Sequence, residues 1–276
     1  MLHVKKFMVQ EKYDQFVLPK VFFIGYTCVD LDALTEYLKY TDQLEFLEDI
    51  NEAREQGISD GEILCSFYAK ACYASLTTKK NKNITKTRDI ENNIKSILDS
   101  GHGSVIEHCN LNFMVTNCSR VYTHEQVRHR PGAAYSQTSG RYVRSDKLFV
   151  VIDPILEPAY DLVEEARDYL ENWYKRLEER LKINDEKSFD RKKKLTSAMR
   201  RMLPNGQANE IGITLNLRAL RHTIEMRTSA HAEWEIRYIF EQIYKMVKGK
   251  YAIMFSDATE EVKEGILEVK FKNKKV

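Results

Sequence analysis

A basic, hydroxyl-rich segment at residues 128–142 holds the side chains best suited to chemistry. It reads RHRPGAAYSQTSGRY and contains three arginines, one histidine and three serine or threonine hydroxyls. Pro131 and Gly132 should end the preceding helix and leave the segment irregular. Exposed backbone amides beside guanidinium groups suit a phosphate or pyrophosphate, because a planar guanidinium binds two oxyanion oxygens at once. An ordinary basic loop could have the same composition, so this segment alone does not decide the function.

A second arginine-rich region lies at residues 200–227. Arg218 and His222 are four residues apart on a helix predicted to begin near residue 217, so they share a face. Apolar residues at 215, 217, 220 and 224 indicate that this helix is largely packed. Arginines on a packed helix need anionic partners. Carboxylates of the chain and a bound ligand both meet that need, and the sequence leaves the two open.

The composition bounds the class of protein. The chain has 276 residues, of which 43% are hydrophobic, and this suits one large domain over 1–276. A net charge of +2 argues against a dedicated nucleic-acid binder. No apolar run has the length of a membrane span, and residues 1–15 lack the apolar core of a secretion signal, so we expect a cytoplasmic protein. The five cysteines form no CxxC pair, so no metal site is predicted.

The elements that must position these residues follow from hydrophobic periodicity. Alternating or continuous apolar runs predict strands at 21–26, 111–115, 147–152 and 211–216. Helical periodicity predicts helices at 59–74, 88–100, 119–128, 159–182, from 191 onward, at 217–228 and at 231–248, before a charged C-terminal tail. Ser59 or Asp60 can cap one of these helices, and Gly101 can end another. We therefore expect an α/β (α+β) fold, with a central, mostly antiparallel sheet flanked by several helices.

Several separated motifs resemble, in order and spacing, those of the flavin-dependent thymidylate synthase family. They are RHR at 128–130 with SGRY at 139–142, GHGS at 101–104 with EH at 107–108, RRMLP at 200–204, NLR at 216–218, MR at 226–227 and HAEWEI at 231–236. The resemblance covers about residues 60–250. Residues 1–58 are then an N-terminal extension, to which the sequence assigns no role.

This resemblance implies an enzyme that methylates dUMP to dTMP. It implies FAD as the cofactor, with NADPH and methylenetetrahydrofolate as co-substrates that supply reducing equivalents and the one-carbon unit. It also implies a homotetramer whose subunits share active sites, with no membrane or nucleic-acid partner. All of these ligands are anionic, which accounts for the many arginines.

The resemblance also implies roles for individual residues. The implied cofactor ligands are His102, Ser104, Arg128, His129, Arg130, Gln137, Asn216, Arg218 and His222. The implied substrate ligands are Glu125, Gln137, Ser139, Gly140, Arg141, Arg200 and Arg227. Arg227 and His102 are the implied catalytic residues. A guanidinium at a uracil carbonyl oxygen would stabilise the negative charge that develops during the reaction.

Structural alternatives stay open for several of these residues. Asn216 could be a helix N-cap, His129 a packed residue at a helix end, and His102 a histidine satisfied by backbone carbonyls. Arg227 could form a structural salt bridge with Glu225 or Glu233. Ser139 is not interpreted as a nucleophile, because the sequence places no base beside it.

Two other functions also stay open. Pro131 and Gly132 tighten the loop, and Gln137 stands where many family members have glutamate, so the enzyme could methylate another pyrimidine nucleotide. A non-catalytic nucleic-acid-binding protein could use the basic segments 128–144 and 191–201, although these lack the interleaved aromatic residues of a stacking platform.

Overall fold

The computed structural model describes residues 13–144 and 147–276. The strands are β1 (Lys20–Tyr26), β2 (Asn110–Cys118), β3 (Ala133–Gln137), β4 (Asn209–Asn216), β5 (Ala258–Lys263) and β6 (Ile266–Phe271). The α-helices are α1 (Leu31–Tyr40), α2 (Phe46–Glu55), α3 (Asp60–Cys72), α4 (Ile90–Ser100), α5 (Arg120–Gln126), α6 (Tyr160–Leu181), α7 (Phe189–Met199), α8 (Leu217–Thr228) and α9 (Trp234–Lys250). Most of the segment examined for a secretion signal lies outside the described residues.

Strands β1 to β4 form an antiparallel sheet in the order β1-β2-β4-β3. Leu111, Phe113 and Val115 of β2 alternate onto one buried face, as the sequence predicts. On the opposite face, the Thr214 hydroxyl donates to the Asn112 side-chain oxygen at 2.7 Å. The mixed fold with a central antiparallel sheet is therefore confirmed.

The main core lies between the buried face of this sheet and the helices, chiefly α3, α4, α8 and α9. Ile213 of β4 and Leu220 of α8 both belong to this core, as does Ile239 of α9. Burying an aliphatic side chain of this size stabilises the fold by about 1.5–3 kcal/mol. The same burial fixes helix α8 against the sheet, so its polar face has a defined direction.

Local end signals place the helices where the sequence predicts them. Ser59 caps α3, and its side chain and that of Glu62 form a reciprocal capping box. Gly101 follows α4 with a φ of 68°, the left-handed conformation that glycine adopts without strain.

Two predictions about secondary structure were wrong, and one hairpin was not predicted. Residues 147–152 form no strand; Val150 makes only isolated bridges to Phe16 and Gln207. The segment expected to be irregular contains β3, which pairs with β4. The charged C-terminal tail contains the hairpin β5–β6, whose turn places Glu264 and Gly265 at positive φ. The β3–β4 pairing connects residues far apart in the sequence, and the β5–β6 pairing depends on a turn. Apolar periodicity indicates neither kind of pairing.

Strand β1, expected to be buried, lies at a sheet edge, where Phe22, Ile24 and Tyr26 are exposed. Helices α1 and α2, which the sequence did not predict, precede α3. Within the described ranges, no helix combines the length and the apolar character needed to cross a membrane.

Candidate active site

The RHR triplet lies in the turn between α5 and β3. The backbone N–H of His129 donates to the Gln126 carbonyl at 3.1 Å, which closes the end of the helix. The Tyr135 hydroxyl donates to the His129 carbonyl at 2.6 Å and ties the turn to β3. Because the His129 backbone is held from both sides, Arg128 and Arg130 lie exposed on either side of it.

Gly132 brings this turn against the start of helix α8. Its φ is 67°, and a Cβ at this position would overlap the side-chain amide of Asn216. The Asn216 N–H donates to the Gly132 carbonyl at 2.8 Å, and the Asn216 side chain accepts from the Ala219 N–H at 2.8 Å. Asn216 is therefore the N-cap of α8, one of the alternatives left open, and it also lies beside the basic turn.

Arg218 and His222 occupy the exposed face of α8, one helical turn apart. The Arg218 guanidinium donates to the Glu107 carboxylate at 2.6 Å and to the Lys275 carbonyl at 3.3 Å. The His222 ring lies 6.5 Å from the His129 ring, measured between centroids. The two arginine-bearing regions thus meet at one place in a single chain.

A cavity of about 450 Å³ lies where they meet, and we call it the basic cavity. It is lined by Glu107, Arg128, His129, Pro131, Gly132, Asn216, Arg218, Ala219, His222, Thr223, Lys274, Lys275 and Val276. Five of the nine predicted cofactor ligands belong to this lining. Its cationic side chains and the closely approaching backbone at Gly132 suit an anionic ligand.

Arg227 is not among the lining residues of this cavity, and it is held by two side chains. Its Nε donates to Nε2 of His129 at 2.7 Å, and its Nη1 donates to Glu125 at 2.9 Å. Burial, together with the nearby Arg227 and His222 charges, lowers the pKa of His129 from 6.5 to about 4. His129 is therefore neutral at pH 7 and accepts the hydrogen bond that orients Arg227.

Several of the residues predicted to bind the nucleotide line other cavities. Gly140 and Arg200 line a second cavity, of about 520 Å³, together with Arg201 and Lys147. Arg141 lines a third, of about 320 Å³, on the side of helix α7. The Ser139 hydroxyl accepts from the Arg141 N–H at 3.4 Å. One chain therefore separates Gly140, Arg141 and Arg200 from the basic cavity, whereas Arg227 and its partner Glu125 lie beside it through His129.

The other predicted cofactor ligands, His102, Ser104, Arg130 and Gln137, are not among the residues that line these three cavities. His102 and Ser104 are exposed at the start of a 3₁₀ turn, and the His102 ring lies 6.3 Å from that of Tyr73. The Gln137 amide donates to the Thr123 hydroxyl at 3.1 Å. Gly103, in the same motif as His102, lies beside Arg218, and a Cβ on it would come 2.7 Å from the guanidinium Nε.

Carboxylates of the chain are partners for the packed arginines. Arg221 is fully buried and pairs with Asp257 at 2.9 Å, while Arg227 pairs with Glu125 at the same distance. The sequence suggested Glu225 or Glu233 as the partner in a structural salt bridge of Arg227, and this was wrong. Arg227 pairs with Glu125, and Glu225 pairs with Lys274. The pair with Glu125 leaves part of the Arg227 guanidinium for a further acceptor, because arginine has five N–H donors.

Lys274 and Lys275 were not found from the sequence. They belong to a charged run that follows the motif-bearing part of the chain, and nothing in their spacing distinguishes them from solvent-facing lysines. Only the turn back made by the β5–β6 hairpin brings them to the basic cavity. As for metals, the described part of the chain contains no group of three or more His, Cys, Asp or Glu side chains that could hold an ion.

The fold and the basic cavity define a class: an α+β protein in which two distant arginine-bearing segments line one cavity. The model of the family described as thymidylate synthase complementing protein matches residues 56–251. The chain therefore belongs to this family, as the motifs predicted.

Individual relatives agree with this assignment. A protein of Mycobacterium tuberculosis (strain ATCC 25618 / H37Rv) named flavin-dependent thymidylate synthase is 36% identical over 203 residues, which are 71% of this chain and 79% of the relative. The protein of the same name from Mycobacterium avium (strain 104) is 37% identical over the same shares.

A solved structure shares the fold. It is thymidylate synthase X (ThyX) from Helicobacter pylori with FAD and dUMP, at 2.31 Å resolution. The two chains superpose with a TM-score of 0.52 at 18% identity, over 87% of this chain and 98% of the other. At this identity the likeness supports the architecture.

Proposed function

We propose that this protein is a flavin-dependent thymidylate synthase that converts dUMP to dTMP, with FAD as the cofactor and with NADPH and methylenetetrahydrofolate as co-substrates. One observation supports this proposal most strongly. In a chain of this family, Arg128 and His129 line the same cavity as Arg218 and His222. Relatives more than a third identical carry that name, and the H. pylori neighbour holds FAD and dUMP.

The basic cavity fits a flavin dinucleotide by the chemistry of its donors. Arg128, Arg218 and the exposed backbone near Gly132 would bind the pyrophosphate, and His222 would contact the adjoining part of the cofactor. When bound, FAD supplies the hydride that completes the methyl group. The neutral His129 would keep its Nε2 on Arg227 and so position that side chain next to the cofactor.

Ser139, Gly140, Arg141 and Arg200 would bind the phosphate and sugar of dUMP. Gly140 lies against Arg200, since a Cβ on it would come 3.3 Å from the arginine Cδ. A guanidinium close to a bare backbone gives a phosphate two kinds of donor. Gln137 would contact the base from β3.

We assign the main catalytic role to Arg227. Its Nε and Nη1 are engaged by His129 and Glu125, so its remaining N–H groups can donate to a uracil carbonyl oxygen. A preorganised donor there stabilises the negative charge that builds on the ring as C5 reacts with the one-carbon unit. His102, next to the contact between Gly103 and Arg218, is the second proposed catalytic residue, positioned toward the flavin and the folate.

We further propose a homotetramer with shared active sites. One chain places the proposed nucleotide ligands Gly140, Arg141 and Arg200 in cavities separate from the basic cavity, so a neighbouring copy could complete each site. Large apolar side chains are exposed on β1 and α6; Ile24, Leu162 and Tyr169 are 67%, 63% and 68% exposed. Surfaces of this kind mark contact sites between proteins. Sedimentation equilibrium of the purified protein tests the assembly: four chains per particle support it, and a monomer with bound FAD contradicts it.

Turnover of the purified protein tests the function. With FAD and methylenetetrahydrofolate present, we expect dUMP to accelerate NADPH oxidation and dTMP to appear by mass spectrometry. Dependence on another pyrimidine nucleotide instead of dUMP would identify the alternative substrate that Gln137 suggests. A colourless protein that ignores dUMP and binds RNA or DNA with a steep salt dependence would contradict the enzyme and favour nucleic-acid binding. The cytoplasmic location stays a prediction.

A further inference from the structure

The chain folds a segment from outside the family match into the basic cavity. Residues 272–276, which we call the C-terminal segment, follow β6 and lie beyond the residues 56–251 that the family model matches. Lys274, Lys275 and Val276 nevertheless line the cavity together with Arg128 and Arg218.

The C-terminal segment contacts two of the family motifs directly. The Lys275 carbonyl accepts from the Arg218 guanidinium at 3.3 Å. A Cβ on Gly103 would overlap that same carbonyl, and a Cβ on Gly101 would come 3.3 Å from the Lys275 Cβ. The glycines of the GHG element therefore leave room for this segment, which in turn holds Arg218.

A buried arginine anchors the segment. Arg221 donates through Nε to the Val276 carbonyl at 3.3 Å and pairs with Asp257 at 2.9 Å. Asp257 also accepts from the Asn273 N–H at 3.0 Å, and the Arg221 guanidinium lies 4.1 Å from the centroid of the Phe271 ring. With Asn273 and Val276 both tied to this pair, the position of Lys275 between them is defined.

The charges around the cavity are not balanced. Four of its lining side chains are arginine or lysine, namely Arg128, Arg218, Lys274 and Lys275, against the one carboxylate of Glu107. Glu107 pairs with Arg218, and Lys274 pairs with Glu225. Within residues 13–144 and 147–276, neither Lys275 nor Arg128 forms an ion pair, so both are available to an anion.

We propose that the C-terminal segment forms a wall of the cofactor site and that the Lys275 ammonium, together with Arg128, binds a phosphate of the flavin dinucleotide. This inference rests on the proposed flavin binding. It adds a specificity-determining residue from a part of the chain that carries none of the family motifs. Riboflavin lacks the phosphates, so Lys275 should distinguish FAD from riboflavin.

Flavin fluorescence titrations of the purified protein test the proposal with a matched control. Lys275→Ala should weaken FAD binding about tenfold, the effect of one charge-assisted hydrogen bond, and should change riboflavin binding by less than about twofold. Lys272→Ala, which removes the same charge from an exposed lysine of the same segment outside the cavity lining, should leave FAD binding within about twofold. The salt dependence of FAD affinity should also be shallower for Lys275→Ala than for the wild type, a readout independent of stability.

Three results would overturn the inference. Unchanged FAD affinity in Lys275→Ala removes the phosphate contact. Equal losses for FAD and riboflavin show that Lys275 only shapes the wall. Wild-type protein that binds neither flavin contradicts the proposed function itself, and the inference fails with it.

Discussion

Arg227 donates its Nε hydrogen to Nε2 of His129 at 2.7 Å, across 98 positions of the sequence. This bond joins the RHR turn to the end of helix α8. A second bond, from Nη1 of Arg227 to the Glu125 carboxylate at 2.9 Å, joins the same side chain to α5. The two partners fix the plane of the guanidinium and leave its other donors available. A preformed donor of this kind suits charge stabilisation, because little reorganisation is needed when the reaction occurs.

Replacing Arg227 should separate catalysis from cofactor binding. Arg227→Ala should lower the rate of dTMP formation by on the order of 10²–10³, the usual loss for one preorganised donor to a developing anion. FAD affinity should stay within about twofold, since Arg227 is not among the residues that line the basic cavity. Arg54→Ala, which removes an arginine from the distant ion pair with Asp60, is the control. Near-normal turnover in Arg227→Ala would remove this side chain from the mechanism.

The His129 imidazole should stay neutral well below pH 6. Its folded-state pKa of about 4 lies below the ordinary 6.5, so its stabilising contribution is complete above pH 6.5 and is lost as the pH falls through 4. Over that window the wild type should lose up to about 3 kcal/mol of unfolding free energy relative to His129→Gln. Urea unfolding at several pH values measures this loss. NMR titration of the imidazole, assigned by the missing signals of His129→Gln, measures the pKa itself; a midpoint near 6.5 would contradict the burial argument.

Local signals explain how much of this fold was predictable. The alternation of Leu111, Phe113 and Val115, the capping box of Ser59 and the glycine after α4 each act within a few residues, so the sequence shows them directly. The pairing of β3 with β4 is different, because the five residues of β3 are small or polar and gain their partner from a strand far along the chain. The sequence did not predict the β5–β6 hairpin for a related reason: one of its charged residues is buried and held by partners that the apolar pattern does not show. Its residue Glu268 is buried, and bonds from Lys270 and Lys263 and from the Ala230 N–H hold its pKa at about 2.

The site was predictable as a set of motifs but not as a set of contacts. Motif order brought Arg128, Asn216 and Arg218 to attention together, and the structure places them around one cavity. Charge alone could not show that Arg221 would pair with Asp257 rather than with a ligand. Nor could it separate Lys275 from the other lysines of the tail, since only the hairpin decides which of them faces the cavity.

A side chain at Gly132 should destabilise the protein more than a side chain at Gly57, which also has a positive φ. Gly132 and Gly57 both have positive φ, but a Cβ at Gly57 meets no atom within 4 Å, whereas one at Gly132 overlaps the Asn216 amide. Gly57→Ala should cost about 1–2 kcal/mol for the left-handed backbone alone. Gly132→Ala should cost about 0.5–2 kcal/mol more, because it displaces the cap of α8, and should weaken FAD binding as well. Equal losses of stability, with FAD affinity unchanged in both variants, would show that the contact with Asn216 contributes nothing.

The buried carboxyl of Glu235 should make the protein less stable as the pH rises. Glu235, on α9, accepts from the Ser119 N–H at 2.7 Å and from its hydroxyl, and so braces the N-terminus of α5, the helix that carries Glu125. Burial raises the pKa of Glu235 from 4.5 to about 7, against the lowering effect of these bonds. A raised carboxyl pKa gives stability that is complete below pH 4.5 and is lost as the pH passes through 7.

Glu235→Gln keeps an acceptor for Ser119 and removes this titration. Its unfolding free energy relative to the wild type should therefore rise by up to about 3 kcal/mol between pH 4.5 and pH 8. Urea unfolding at the two pH values measures the change, and Glu241→Gln, on the same helix and paired with Lys245, is the control. A difference between variant and wild type that does not change with pH would show that Glu235 is ionised throughout, and that the bonds from Ser119 outweigh its burial.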